Sequence, residues 1–243
     1  QPHTHAQSRD TRGVATGNWK VLPSDSILRR GTGYIFAYDT NAVVRFPSSE
    51  IGLTLTGGNQ SIENNLPDYS TNLKNWHHNW HLIGQPFFSP LEASALAGPN
   101  YLTVYQYPTD SYLNYEKSDY PMKPFSSVFV QYQGDVNYLA SSNVLSAMQA
   151  PAIIRNKYKL ELNNGTYSDY TQINLNENGS TDYVIGADLL KMLTLGNYAP
   201  QFYSIDNQHN IKLAFNELHN DETVTVPLGT YFPTSGNYTI SLK

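Results

Sequence analysis

Trp76-His77-His78-Asn79-Trp80-His81 is the densest run of metal-binding and ring-bearing side chains in the chain. On an extended strand Trp76, His78 and Trp80 face one way, and His77, Asn79 and His81 the other. His77 and His81 then stand ~13 Å apart, too far to share one metal ion. On a helix they would lie one turn apart and could share zinc, but no third ligand is evident. The plainer reading is a strand that buries its tryptophans. A second string, Asn174-x-Asn176-x-Asn178-Gly179, has the spacing that opens a calcium loop, glycine included. Its ligand positions are neutral amides and no Glu stands at the twelfth position, so an ordinary Asn-Gly hairpin competes with calcium held by Asn174, Asn176, Asn178 and Asp182.

Glycoside hydrolysis needs two carboxyl groups ~5–10 Å apart in a cleft. Asp110, Glu116 and Asp119 occupy a Tyr-rich loop, and Glu217, Asp221 and Glu222 a turn, but nothing in their spacing makes either set converge. Nucleophile elbow, phosphate loop, zinc-protease helix and dinucleotide fingerprint are all absent, and Gly31-Thr32-Gly33 reads as a turn. Aromatic residues are abundant instead. Tyr101, Tyr105, Tyr107, Tyr112, Tyr115 and Tyr120 follow Trp76 and Trp80 closely. Displayed on a sheet, Trp76, Trp80, Tyr105, Tyr107, Tyr112 and Tyr115 could stack on sugars or anchor a protein partner. The competing reading is that these rings fill half-buried strand faces, which β-propensity favours.

The composition sets the frame for these side chains. The chain has 243 residues, net charge −5, 14% charged residues and 40% hydrophobic residues, with 19 Tyr against 9 Phe. That length can bury one large β domain or two ordinary ones. The mild acidity offers no electrostatic footprint for nucleic acid or anionic lipid. Arg9, Arg12, Lys20, Arg29 and Arg30 form only a local basic tilt, of the kind usual on a solvated face. With no Cys, disulfides, thiolate metal sites and cysteine nucleophiles are excluded. No apolar run reaches the ~20 residues of a membrane helix.

The pattern is of short strands broken by turn residues. Residues 1–17 are polar and unpatterned, and are expected to be disordered. Strand-like runs follow at 33–38, 43–46, 51–56, 80–83, 102–107 and 127–132, with Pro86, Pro90, Pro99, Pro108, Pro121 and Pro124 excluding long helices. The segment Leu91 to Leu96 has room for one or two helical turns. After a weakly patterned stretch around 141–151, alternation resumes at 157–162, ends at Asn163-Asn164-Gly165, and returns at 171–176. Ala187 to Leu195 places Leu189, Met192 and Leu193 on one helical face and is expected to be the one short helix. Runs at 201–205, 211–215, 223–228 and 238–242 complete the series. The expected fold is all-β: two consecutive β-sandwich (jelly-roll or Ig-like) domains, at 18–146 and 152–243.

An ordered series of motifs carries a resemblance. Leu28-Arg29-Arg30-Gly31-Thr32-Gly33-Tyr34 precedes Asn79-Trp80-His81-Leu82-Ile83-Gly84-Gln85-Pro86-Phe87-Phe88-Ser89-Pro90-Leu91, and then comes Lys123-Pro124-Phe125-Ser126-Ser127-Val128-Phe129-Val130-Gln131. The second half adds Asn164-Gly165, Ser168-Asp169-Tyr170, Asn176-Glu177, Gly186-Ala187-Asp188, Lys191-Met192, Ala199-Pro200-Gln201-Phe202-Tyr203-Ser204 and Gly236-Asn237-Tyr238-Thr239-Ile240-Ser241-Leu242. Over about residues 19–243 this resembles exported surface proteins of Bacteroidetes associated with type IX secretion. In those proteins a "GWNLIGNPYPS"-type β-sandwich is followed by a C-terminal β-sandwich that precedes the sorting domain. Gln85, Phe88 and Glu92 depart from the usual Asn, Pro and Asp, all at turn positions.

The resemblance implies an extracellular or outer-surface location, with the sorting domain beginning where this sequence stops at Lys243. Asp25-Ser26-Ile27 matches the short O-glycosylation pattern of that group, which makes Ser26 a candidate acceptor. The leading expectation is a non-catalytic structural or adhesive module of a larger exported protein, without cofactor unless calcium binds. Its partner would be a host or matrix glycan or protein, and self-association through a β edge is conceivable. The alternatives are a carbohydrate-binding module that uses the exposed rings, and a fragment of a glycoside-active enzyme.

Overall fold

The computed structural model describes residues 2–5, 19–21, 31–36, 64–65, 80–85, 91–93, 96–106, 111–124, 126–132, 135–138, 156–193, 199–206, 208–220 and 223–243. Among them the chain forms β1 (Pro2–His5), β2 (Trp19–Val21), β3 (Tyr34–Phe36), β4 (Asn64–Asn65), β5 (Trp80–Gly84), β6 (Leu91–Glu92) and β7 (Leu96–Ala97). Then follow β8 (Tyr101–Gln106), β9 (Ser111–Glu116), β10 (Pro121–Met122), β11 (Ser127–Gln131), β12 (Asp135–Tyr138), β13 (Asn156–Asn163) and β14 (Ser168–Asn176). The last five are β15 (Leu189–Leu190), β16 (Gln201–Ile205), β17 (Lys212–His219), β18 (Leu228–Tyr231) and β19 (Thr239–Leu242). No α-helix forms among the described residues, and Lys117–Asp119 make a 3-10 turn. The fold is therefore all-β and sandwich-like. No helix among the described residues is long and apolar enough to cross a membrane.

The chain divides into two compact units, residues 1–99 with 117–150 and residues 100–116 with 151–243. The expected division near 147–151 thus has one excursion across it: the hairpin of β8 and β9 belongs with the second half. Pro2–His5, inside the segment expected to be disordered, pair with both β2 and β3. The runs at 43–46 and 51–56 lie outside the described residues.

In the first unit β5 and β11 form an antiparallel ladder from Trp80↔Gln131 to Gly84↔Ser127. Trp80, Ile83, Val128 and Val130 are fully buried along it. The Gly31-Thr32-Gly33 turn docks on β5, with Gly33 N–H donating to Leu82 O and Gly84 N–H to Gly31 O, both at 2.9 Å. A Cβ on Gly33 would lie 2.4 Å from Leu82 Cγ, so the close approach of these two segments requires glycine. Residues 91–96, given room for a helical turn by the sequence, supply β6 and β7 at their ends. β6 pairs with β10, and β7 with β12, which also pairs with β4.

In the second unit seven strands run in the order β18-β16-β17-β14-β13-β19, with β15 added on β17. β13 and β14 form a long hairpin from Asn156↔Leu175 to Asn163↔Ser168. Its loop is the Asn-Gly turn that the sequence marks: Asn164 Oδ1 accepts from Tyr167 N–H at 2.7 Å, and Gly165 takes φ 90°. β14 runs parallel to β17, so the chain between them must cross over, and that crossover carries β15 and β16.

Of the helix expected over 187–195, the described residues 187–193 form a turn and a short strand instead. Asp188 N–H donates to Val184 O at 2.8 Å, and Leu189 and Leu190 then pair with Phe215 and Leu213. The helical spacing of Leu189, Met192 and Leu193 is outweighed by the backbone partners that the edge of β17 offers. Leu189 and Leu190 are buried next to each other while Leu193 is 42% exposed, which is not the burial of a helical stripe. The run expected at 223–228 also shifts, since the strand that forms is Leu228–Tyr231, pairing with β16.

Candidate functional site

The second unit holds the chemistry-bearing side chains that the fold brings together. β14 alternates apolar and polar residues, which puts Gln172, Asn174 and Asn176 on one face of the strand, and that face is not left to solvent. All three are buried, because the β8–β9 hairpin covers that face. Gln172 Nε2 donates to Glu116 Oε1 at 2.7 Å and to Asn174 Oδ1 at 2.9 Å. Asn174 Nδ2 donates to Tyr101 Oη at 2.9 Å, and the Tyr101 hydroxyl donates to Glu217 Oε1. Asn176 Nδ2 donates to Glu217 Oε2 at 2.7 Å. At the hairpin end Lys157 Nζ meets Glu116 Oε2 at 2.7 Å, and the Tyr170 hydroxyl donates to Asn114 O. The rings close the same surface: Tyr101 stacks on Phe215 at 4.6 Å, and Tyr170 meets Phe215 edge-on at 6.2 Å.

Glu217, expected with Asp221 and Glu222 in a turn, lies inside β17 and is buried. Its backbone N–H donates to Asp188 Oδ1 at 2.7 Å, while Asp188 Oδ2 accepts from Val184 N–H at 2.7 Å. Burial pushes the Asp188 carboxyl up to about 7; the two N–H donors oppose this, and the charges of Glu217 and Asp206 add to it. A carboxyl group with this shift beside a second acid has the look of a catalytic pair. Here, however, both acids are buried, and both oxygens of each accept hydrogen bonds from the chain itself.

The expected calcium string separates into strand and turn. Asn174 and Asn176 belong to β14 and point into the network, whereas Asn178 and Asp182 are exposed. Asn176 Oδ1 accepts from Asn178 N–H at 2.8 Å, and Gly179 N–H donates to Asn176 O at 3.2 Å, which makes an Asx turn. A Cβ at Gly179 would lie 2.0 Å from the backbone of Leu218, so this glycine permits a close crossing. Among the described residues no group of three or more His, Asp or Glu could hold a metal ion.

The rings proposed for stacking divide similarly. Trp80 is 2% exposed and belongs to the core of the first unit, so it is the buried ring of the plainer reading and is not displayed for stacking. Its neighbour His81 is buried too, and desolvation lowers its pKa to about 4 against a hydrogen bond with the Tyr132 backbone. Tyr105 is 39% exposed and meets the half-buried Tyr112 with ring centroids 5.4 Å apart. Tyr115 is half-buried, and burial raises its hydroxyl pKa. Trp76, Tyr107 and Ser26 lie outside the described residues, as do His77, His78 and Asp110.

A second buried charge cluster carries no catalytic or metal-binding spacing in the sequence. Lys191 Nζ contacts Asp169 Oδ1 at 2.5 Å, and Asp169 Oδ2 accepts from Phe202 N–H at 2.7 Å. The pair lines a recess with Ser111, Tyr112, Ser168 and Gln201 around it. Asp169, Asp188 and Lys191 all fall within the motif series of the second half, which is the one sequence signal that marked them. No family model, curated protein or solved structure matches this chain.

Proposed function

We propose that the chain is a non-catalytic module of an exported surface protein, serving a structural or adhesive role at the outer cell surface. The observation that carries this reading is the use made of the buried Asp188 and Glu217 and the half-buried Glu116. Glu116, Asp188 and Glu217 are hydrogen-bonded to Gln172, to Tyr101 and Asn176, and to backbone N–H groups. They hold the β8–β9 hairpin and the turn before β15 to the sheet. A β framework tied together by buried hydrogen bonds suits a load-bearing or display role. The resemblance of the motif series to type IX-associated Bacteroidetes proteins supports the surface location, and a host or matrix protein is the partner class.

A second reading rests on Tyr105 and Tyr112, whose paired rings at the tip of the β8–β9 hairpin could stack on a sugar. A screen of the intact chain against immobilised glycans and matrix proteins, with calcium and then with chelator, separates the two. Binding to a matrix protein that survives chelation and Tyr105→Ala supports the adhesive module. A glycan signal abolished by Tyr105→Ala moves the function to carbohydrate binding. Hydrolysis of any glycan on the array would falsify the non-catalytic reading.

A further inference from the structure

We propose that Lys191 and Asp169 are the site of an intramolecular isopeptide bond, an amide between the lysine Nζ and the aspartate Cγ. The two side chains are 1% and 10% exposed, and Nζ sits 2.5 Å from Oδ1. An ion pair in such a place suffers a desolvation penalty on both partners, which a neutral amide of nearly the same shape removes.

The remaining contacts fit the reaction. Oδ2 accepts from the Phe202 N–H at 2.7 Å, so that donor stands ready to stabilise the oxyanion when Nζ adds to Cγ. The step balances without any outside reagent. The ammonium gives one proton to Oδ1, the amine lone pair forms the Nζ–Cγ bond, and negative charge gathers on Oδ2. Oδ1 then takes a second proton from nitrogen and leaves as water, with cleavage of the Cγ–Oδ1 bond, while Oδ2 remains as the amide oxygen on the Phe202 N–H. The recess that Asp169 and Lys191 line, with Ser111 and Ser168 beside them, is the exit for that water.

The bond would close the covalent ring 169–191, tying β14 to the segment after β15 in a chain that has no cysteine. A permanent cross-link of this kind constrains the unfolded chain in the manner of a disulfide.

Intact-mass measurement of the folded full chain after denaturation tests this directly. The expected mass is one water below that of the sequence. Trypsin should fail to cut after Lys191, giving a single peptide 160–212 that is lighter by one water. Fragmentation of that peptide should yield no sequence ions between 169 and 191, since one backbone break inside a ring leaves the pieces joined. Lys191→Arg should restore both the mass and the cut. Loss of ammonia at Asn164-Gly165 has a different mass and serves as the internal control. Full mass with ordinary peptides 160–191 and 192–212 overturns the proposal, as does a water loss that persists in Lys191→Arg.

Discussion

The two units solve burial with different materials. Around the β5–β11 ladder the interior is Trp80, Ile83, Leu96, Met122, Val128 and Val130, and the buried polar side chains described there are His81, Gln85 and Gln131. The second unit encloses Asn114, Asp169, Gln172, Asn174, Asn176, Asp188, Lys191 and Glu217 beside Phe202, Phe215 and Leu213. An apolar interior is non-directional and tolerates small adjustments of its strands. A hydrogen-bonded interior fixes register and orientation, because each donor left without its acceptor costs free energy. The first unit is thus stabilised mainly by its rings and branched chains, the second also by a specific polar arrangement.

Deleting a core ring from each side gives the largest expected effect. Trp80→Ala should destabilise the first unit by about 3–5 kcal/mol, and Phe215→Ala the second by a similar amount. All three tryptophans, Trp19, Trp76 and Trp80, belong to the first unit, so fluorescence-monitored urea unfolding reports that unit alone. Unchanged fluorescence unfolding in Trp80→Phe, which restores a ring, would match a core role. A Trp80→Ala protein as stable as the parent would not.

Acid should act on the units in opposite directions. His81 has its pKa lowered from 6.5 to about 4, so the unfolded state binds more protons in that window. Falling pH therefore weakens the first unit, by about 3 kcal/mol across the whole interval. Asp188 has its pKa raised from 3.8 to about 7, so the folded state binds the extra proton. Its contribution grows as pH falls from 7 towards 3.8, by up to about 4 kcal/mol. Hydrogen exchange of β14 amides, compared between wild type and Asp188→Asn, reads the second unit. Equal pH dependence in the two proteins would remove Asp188 as the cause.

A smaller effect isolates the polar arrangement itself. Tyr101→Phe keeps the stack on Phe215 but removes the hydroxyl between Asn174 and Glu217, and should cost about 1–3 kcal/mol. A neutral outcome would mean that the second unit, like the first, depends on apolar contact. Smallest of all, Tyr105→Ala on the exposed hairpin tip should change stability by no more than about 0.5 kcal/mol while remaining the decisive variant for glycan binding.

Local patterns made much of the second unit legible. The Asn163-Asn164-Gly165 punctuation and the alternation on either side mark the β13–β14 hairpin, because turn conformation and side-chain period are properties of neighbouring residues. Gln201 to Ile205 is legible as β16 for the same reason. The site was much less so. Glu217 reads as a solvent-facing acid and Asn174 as a metal ligand, since nothing near either in sequence reveals that the β8–β9 hairpin covers them. For Trp80 burial is the plainer reading, but display remains open in the sequence, because both follow from the same alternating run.

The all-β class, the turn positions and the exclusion of cysteine chemistry follow from the sequence by itself, since each depends on residue type and short-range spacing. Tertiary structure decided which polar face became interior, turned a helical-looking stretch at Leu189 into a strand on β17, and set Lys191 against Asp169 across the fold. Those outcomes depend on which distant segment offers a free backbone edge or a covering surface, and burial by a distant segment leaves no periodic signal in the sequence it covers.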